Sequence, residues 1–379
     1  MDIILGIIEF IADVVYFCVK RDKRESMNTI NENNSKRRNT KKIPKNQINK
    51  AANIIENGGL VAFPTETVYG LGADAFNMRA VEQVYAAKGR PGDNPLILHV
   101  ANREQFFELT EDVPPYAMAL INEFWPGPLT LVAKKKQDIP AWVGGHPFNS
   151  TSTIGVRMPN HPVALAFLRA AGKPIAAPSA NKSGRPSPTS AKHVKDDFSN
   201  SDDVDMILDG GEIPDVGIES TVVDVTGPIP VILRPGSITR AMIQSAAGRE
   251  PGNAKNGDAP RSPGTKYRHY APNAPMTILR GTPKNIAVYL SNEQFEPDEK
   301  IGLLVSEATK NLLRKTGNIK IISLDGDMQL VAQKLFASLR QFDKLNVSKI
   351  YAESVQSVGI GIAIMDRMIK AAEGNVIDV

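Results

Sequence analysis

The chain has 379 residues, 42% hydrophobic and 23% charged, with 45 Lys+Arg against 41 Asp+Glu. That length predicts two domains, and the low net charge excludes a largely disordered chain. A single cysteine, Cys18, and five scattered histidines (His99, His146, His161, His193, His269) exclude a disulfide scaffold and argue against zinc fingers, iron–sulfur clusters and zinc enzymes.

The charge is concentrated. Residues 20–50 hold eleven Lys/Arg and three Asp/Glu, a local +8, while 1–19 carry −3, which leaves −1 on residues 51–379. The body is near neutral, so overall basicity is no argument that it binds nucleic acid. Residues 3–19 are apolar but short, and Glu9 and Asp13 would be costly inside a bilayer. No basic region precedes this stretch and no small-residue cleavage site follows it. Residues 1–46 are therefore expected to be an extension, disordered or untranslated with Met27 as the start. A peripheral helix or an anchor are the alternatives. The polar run 28–45 reads as a solvated basic tail with room for weak RNA contact. A cytoplasmic protein without stable membrane association is expected.

From Gln47 the pattern alternates. A helix through Ile54 stops at Gly58-Gly59, followed by a buried strand at Leu60–Phe63. A helix near Ala80–Ala87 precedes a strand at Leu96–Val100, and helices follow near Glu104 and Ala117. Strands are predicted at Leu129–Ala133 and Ile154–Arg157, a helix at Val163–Ala171, and a strand at Pro174–Ala177. After a helix near Ala191 come strands at Met206–Leu208, Thr221–Val225 and Val231–Leu233, then a helix from Ile238. Residues 250–275, with five Pro and three Gly, read as a linker. Beyond it, strands at 276–279, 300–305, 320–324 and 349–352 and helices at 329–343 and 361–372 read as a small parallel α/β domain. The predicted organisation is an α/β catalytic domain at 47–249, a linker at 250–275 and an accessory α/β domain at 276–379.

No Walker sequence is present. Gly70-Leu-Gly-Ala-Asp-Ala75 matches a dinucleotide fingerprint only loosely and reads as a glycine-permitted tight turn. Thr65 and Thr67 follow a buried strand, where they would face a ligand crevice or cap a helix. Lys88 and Arg90 flank a glycine, a pattern for gripping phosphates or for ordinary solvated surface. Arg157 ends an apolar strand, ready for a carboxylate or snorkelling at an edge. Ser179 and Asn181 end another, suited to sugar and phosphate or to local turn chemistry. Ser187, Glu219-Ser220-Thr221 and Arg234 add polar groups at further boundaries. Cations and hydroxyls without a nucleophile suit phosphoryl or nucleotidyl transfer.

The stretches PTETVYGLGADA, AKGRPGDNPLILHV, WPGPLT, VRMPNHP, AAPSANKSGRPSPT, GIESTVVD, LRPG and KYRHYAPNAP resemble the YrdC-like threonylcarbamoyl-AMP synthases of the long two-domain type. The resemblance implies a YrdC-like twisted sheet and a smaller Rossmann-like parallel domain. It implies an enzyme that joins L-threonine, bicarbonate or CO2, and ATP, releasing diphosphate and forming L-threonylcarbamoyladenylate. A tRNA threonylcarbamoyl transferase complex would then carry the group to adenosine 37 of tRNAs reading ANN codons. The family's catalytic tetrad falls on Lys88, Arg90, Ser179 and Asn181. Thr65, His99, Arg157, Ala177 and Ser220 would hold threonine. Lys88, Arg90, Thr153, Ser179, Asn181, Ser187, Arg234 and Tyr270 would surround ATP, with Mg2+ arriving on the nucleotide and without dedicated protein ligands. The linker, through Lys266–Tyr270, is expected to act as a lid hinged near Gly257 and Gly264, and the C-terminal domain to carry no catalytic group. The competing readings are a double-stranded RNA or tRNA-binding module without catalysis, and the carbamoyl-transfer module of hydrogenase maturation proteins.

Overall fold

The computed structural model describes residues 41–145, 151–213, 215–254, 269–296, 298–313, 318–324 and 326–379. The expectations for residues 1–40 and for linker positions 255–268 lie outside them. The first part runs α1 (Lys45–Glu56), β1 (Val61–Phe63), β2 (Gly70–Asp74), α2 (Met78–Lys88), β3 (Ile97–His99), α3 (Glu104–Leu109), β4 (Thr110–Glu111), α4 (Pro115–Phe124) and β5 (Leu129–Lys135). It continues through β6 (Thr153–Arg157), α5 (Pro162–Ala171), β7 (Ile175–Ala177), α6 (Ala191–Asp197), β8 (Met206–Ile207), β9 (Thr221–Asp224), β10 (Val231–Arg234), α7 (Arg240–Ala247) and β11 (Gly252–Asn253). The C-terminal part comprises β12 (Met276–Arg280), α8 (Pro283–Asn292), β13 (Ile301–Val305), α9 (Glu307–Leu312), β14 (Ile319–Ser323), α10 (Met328–Leu345), β15 (Lys349–Glu353), α11 (Gly361–Ala371) and β16 (Val376–Asp378).

Local chemistry accounts for the boundaries. Helix α1 buries Ile48, Ala51 and Ile55, one face at helical spacing, and stops where Gly58 takes φ +82°. Asn77, Ser190, Thr239, Thr282, Ser306 and Asp327 each accept a backbone N–H at a helix start. Helices α8 and α9 and strand β16 were not anticipated. Their sequences are too short or too polar to show a periodicity, and packing decides them.

The large sheet is ordered β11-β10-β9-β5-β6-β3-β7-β2-β1-β8, with β4 beside β5. It is mixed: β1/β2, β2/β7, β3/β7, β5/β6 and β9/β10 are antiparallel, whereas β3/β6 and β5/β9 are parallel. The second sheet, β14-β13-β15-β12-β16, is parallel throughout, as expected for a Rossmann-like domain. The two parts share a core. Val68, Val216, Ile218 and Tyr270 pack in one cluster with Phe336, Leu339, Ile364 and Met368. Among the described residues no helix is long and apolar enough to cross a membrane.

The turn expected at Gly70–Ala75 is instead strand β2, paired with β1 and β7. Its glycines answer to crowding rather than to turn geometry. A Cβ on Gly72 would sit 2.7 Å from Ile175 Cγ2 and 2.9 Å from Phe63 Cε1. A Cβ on Gly155, in β6 of the same sheet, would find nothing nearer than 3.5 Å. Gly72→Ala is therefore expected to cost about 1–3 kcal/mol in denaturant unfolding. Gly155→Ala should stay within about 1 kcal/mol of the parent. Equal losses would show that backbone freedom, not space, selects glycine at 72.

Candidate active site

An open cavity lies against one face of the large sheet. Gly70, Ala177, Ile97 and His99 contribute its floor from β2, β7 and β3. Side chains alternate along a strand, so Ile97 and His99 share a face, and Arg157 stands beside His99 in the β3/β6 register. The sheet is mixed, so the site is not the carboxyl-edge crevice of a parallel sheet.

Among the described residues, five cations line the cavity, namely Lys88, Arg90, Arg157, Arg185 and Arg234, against a single carboxylate, Glu219. Lys88 is 3% exposed, which excludes the solvated-surface reading. Its ammonium donates to the carbonyls of Ser179 and Asn181. Burial, and then the charge of Arg90, hold its pKa well below the ordinary lysine value. Arg90 donates to Asn94 O at 3.1 Å and Pro95 O at 2.8 Å, and burial brings its pKa down to about 10. Gly89 between them sits at φ +60° and caps α2, which turns both side chains inward.

Thr65 Oγ accepts the N–H groups of Thr67 and Val68 at 3.2 Å and donates to Val68 O at 2.6 Å. It thus makes a hydroxyl turn and lines the cavity at once; no helix follows to be capped. Arg157 is 4% exposed, so it does not snorkel. Its Nη1 donates to Thr67 Oγ at 2.9 Å, and its Nη2 lies 2.7 Å from Glu66 Oε2. That pairing is Coulombic, because neither group is aligned for a hydrogen bond. Glu66 stands behind Arg157 and does not line the cavity.

Asn181 donates to Lys182 O at 2.8 Å and Arg185 O at 3.0 Å, while its Oδ1 is buried without a partner. Ser187 donates to Glu219. Ser220 Oγ is 2.8 Å from Thr130 Oγ and accepts from Arg234 at 3.2 Å; Arg234 also donates twice to Ser220 O. Tyr270, at the end of the linker, is buried and stacks on Phe336 of α10. Thr65, His99, Arg157, Ala177, Ser220, Lys88, Arg90, Ser179, Asn181, Ser187, Arg234 and Tyr270 therefore line one cavity. Thr153 does not. It is the first residue of β6, four positions and about 13 Å of strand from Arg157. Arg185, which lines the cavity, and Glu66, which pairs with Arg157 behind it, were not anticipated as site residues. Among the described residues no three His, Cys, Asp or Glu side chains converge as a metal site. The one lining carboxylate is already held by Ser187 and an arginine.

Residues 53–236 match a family model described as "Telomere recombination", covering the Sua5, YciO and YrdC proteins. Residues 238–373 match the "Threonylcarbamoyl-AMP synthase, C-terminal domain". The chain is 44% identical over 336 residues to the threonylcarbamoyl-AMP synthase of Bacillus subtilis, covering 87% of this chain and 94% of that one. It is 41% identical to the enzyme of that name from Pyrococcus abyssi, covering 87% and 95%. A crystal structure of P. abyssi Sua5 complexed with L-threonine superposes with a TM-score of 0.79 at 40% identity, covering 89% of this chain and 98% of that one.

His99 is 4% exposed. Its Nδ1 lies 3.2 Å from Ile97 O, which can only accept, so this nitrogen carries the proton of the neutral ring. Burial, and then the charge of Arg157, lower its pKa to about 3. An unfolded histidine takes its proton near pH 6.5. Between those values the unfolded chain binds the extra proton, so stability falls as pH falls from 6.5 towards 3. Urea unfolding between pH 6.5 and 4.5 should show a shallower decline in His99→Gln, by up to about 1.4 kcal/mol per pH unit. Parallel curves would mean that the buried ring titrates normally.

Proposed function

The chain belongs to the threonylcarbamoyl-AMP synthase family, and on that premise we propose how its cavity joins L-threonine, bicarbonate or CO2, and ATP into L-threonylcarbamoyladenylate. The observation that carries the reading is the set of five buried or half-buried cations around one carboxylate. Such a cavity favours a polyanion, because each anionic ligand relieves the mutual repulsion and desolvation of Lys88 and Arg90. The dsRNA or tRNA-binding reading is set aside, since relatives at this identity and coverage are named as synthases.

Threonine, which the P. abyssi relative binds, takes the end of the cavity near Arg157, whose planar guanidinium suits a carboxylate. Its carboxylate meets the guanidinium edge beside Thr67, with Thr65, His99, Ala177 and Ser220 around it. Neutral His99 adds no charge against the amine, which must itself be neutral to attack CO2. A C–N bond forms, and the amine proton passes to water. The carbamate oxygen then attacks the α-phosphorus of ATP in line, and the bond to diphosphate breaks. Lys88 and Arg90 neutralise the leaving diphosphate. Ser179, Asn181, Ser187, Arg234 and Tyr270 position the nucleotide, and the buried Oδ1 of Asn181 supplies an acceptor for a donor on the ligand. Mg2+ enters as part of the MgATP substrate. The adenylate would pass to a tRNA threonylcarbamoyl transferase.

Three outcomes test this. Diphosphate release should require both L-threonine and bicarbonate; equal release without threonine refutes the reaction. Lys88→Ala and Arg90→Ala should each lower the rate on the order of 10²-fold, as the loss of one preorganised charge-stabilising donor does elsewhere. A wild-type rate in either removes that residue from the chemistry. Arg157→Lys should raise the threonine KM with little change for ATP, because an ammonium cannot reproduce the planar fork. An unchanged threonine KM would place the carboxylate elsewhere.

A further inference from the structure

Arg367 lies in the middle of α11, in the C-terminal domain, and is fully buried. Its Nε donates to Glu219 Oε2 at 2.9 Å. Its Nη1 donates to Pro235 O at 2.9 Å and to Asp366 Oδ2 at 2.7 Å. Its guanidinium carbon lies 5.7 Å from the centre of the Tyr270 ring. Three of these contacts, with Glu219, Pro235 and Tyr270, involve or adjoin groups already placed in the cavity. Glu219 accepts from Ser187 and precedes Ser220 in the chain. Pro235 follows Arg234, which donates to Ser220. One side chain of the accessory domain is therefore one contact away from Ser187, Arg234 and Tyr270 on three separate segments.

Such a group is expensive as mere glue. A buried arginine gives up strong hydration, and an apolar side chain would join the two domains without that loss. The charge is nonetheless held: burial works against the carboxylate of Glu219, but Arg367, Arg234 and Ser187 outweigh it and keep its pKa low. A guanidinium has fixed, divergent donors, so it can set the relative position of a carboxylate, a carbonyl and an aromatic face.

We propose that Arg367 is a positioning residue for the nucleotide half of the site, fixing Ser187, Arg234 and Tyr270 relative to one another from the C-terminal domain. It gives the accessory domain a part beyond anchoring the linker. It rests on the assignment of those three residues to ATP. Lys88, Arg90 and Arg157 touch none of the Arg367 contacts, and of the threonine residues only Ser220 adjoins them, through Glu219 and Arg234, so the larger effect should fall on ATP.

The test uses the full-length chain in two variants, Arg367→Lys and the double variant Arg367→Met with Glu219→Gln. Lysine keeps the charge but cannot reach carboxylate and carbonyl together. The double variant removes both members of the Arg367–Glu219 pair, and Asp366 keeps Lys370 as its partner. In variants that retain the wild-type circular dichroism, the ATP KM should rise about 10–100-fold, the range typical when a supporting residue behind a ligand group is lost. The threonine KM should move less than about twofold, because Arg157 and its partners are untouched. An unchanged ATP KM, or equal rises for both substrates, overturns the proposal. Loss of the fold in both variants also overturns it, since Arg367 would then be a folding determinant only. Failure of the functional reading itself would appear separately, as wild-type protein that forms no threonine-dependent diphosphate.

Discussion

Burying cations beside one another is the constraint around which this molecule is organised. Lys88, Arg157 and Arg234 are buried and Arg90 is half-buried near one cavity, with one lining carboxylate between them among the described residues. Coulomb repulsion and desolvation both oppose that arrangement. The recurring solution is the backbone carbonyl. Lys88 takes those of Ser179 and Asn181, Arg90 those of Asn94 and Pro95, and Arg234 that of Ser220. Carbonyls solvate a cation without cancelling its charge, so the field stays available to an anionic ligand. The loops that supply them have little freedom left. Proline and glycine at 91–92, 178, 184, 186 and 235–236 suit that rigidity.

The sheet leaves the room that the cations surround. Small residues, Gly70 and Ala177, form the floor where neighbouring strands would otherwise project bulk. Gly70 is already tight against Phe63 and Ala177, so the floor is packed from below while open above. Alternating strand directions bring Ala177 opposite Ile97 and His99 beside Arg157. A purely parallel sheet would scatter these residues differently.

The C-terminal domain belongs to this arrangement as much as the large sheet does. Arg340 of α10, 3% exposed, donates to Pro186 O at 2.6 Å and forms a two-pronged pair with Asp197. Arg185 reaches Asp343 at 2.9 Å, and the N–H of Asn273 donates to the same carboxylate. Together with Arg367 these contacts grip both sides of the Arg185–Ser187 segment. The apolar cluster beneath them contains residues of both parts, so the linker joins halves of one packed body.

Much of the fold was legible in the chain. Helical spacing in α1 and α11 and the apolar runs of β5, β6 and β12 to β15 are local properties, and local sequence expresses them. The residue types at strand ends also pointed to an anion site, and twelve of the residues named from the family motifs line the cavity. What the chain could not express was who faces whom. Gly70–Ala75 looked like a turn because the atoms that demand glycine there come from β1 and β7, far off in sequence. Glu66 looked like one more polar loop residue until Arg157 arrived ninety-one positions later. Arg367 sits within an apolar helical face, which signals a buried partner, but only the packing of α11 against the large sheet reveals that partner as Glu219, 148 residues away. Sequence determines which groups are present and which segments can be helix or strand, because those depend on neighbours along the chain. Tertiary structure alone decides which charges meet, because burial and Coulomb energy depend on distance in space.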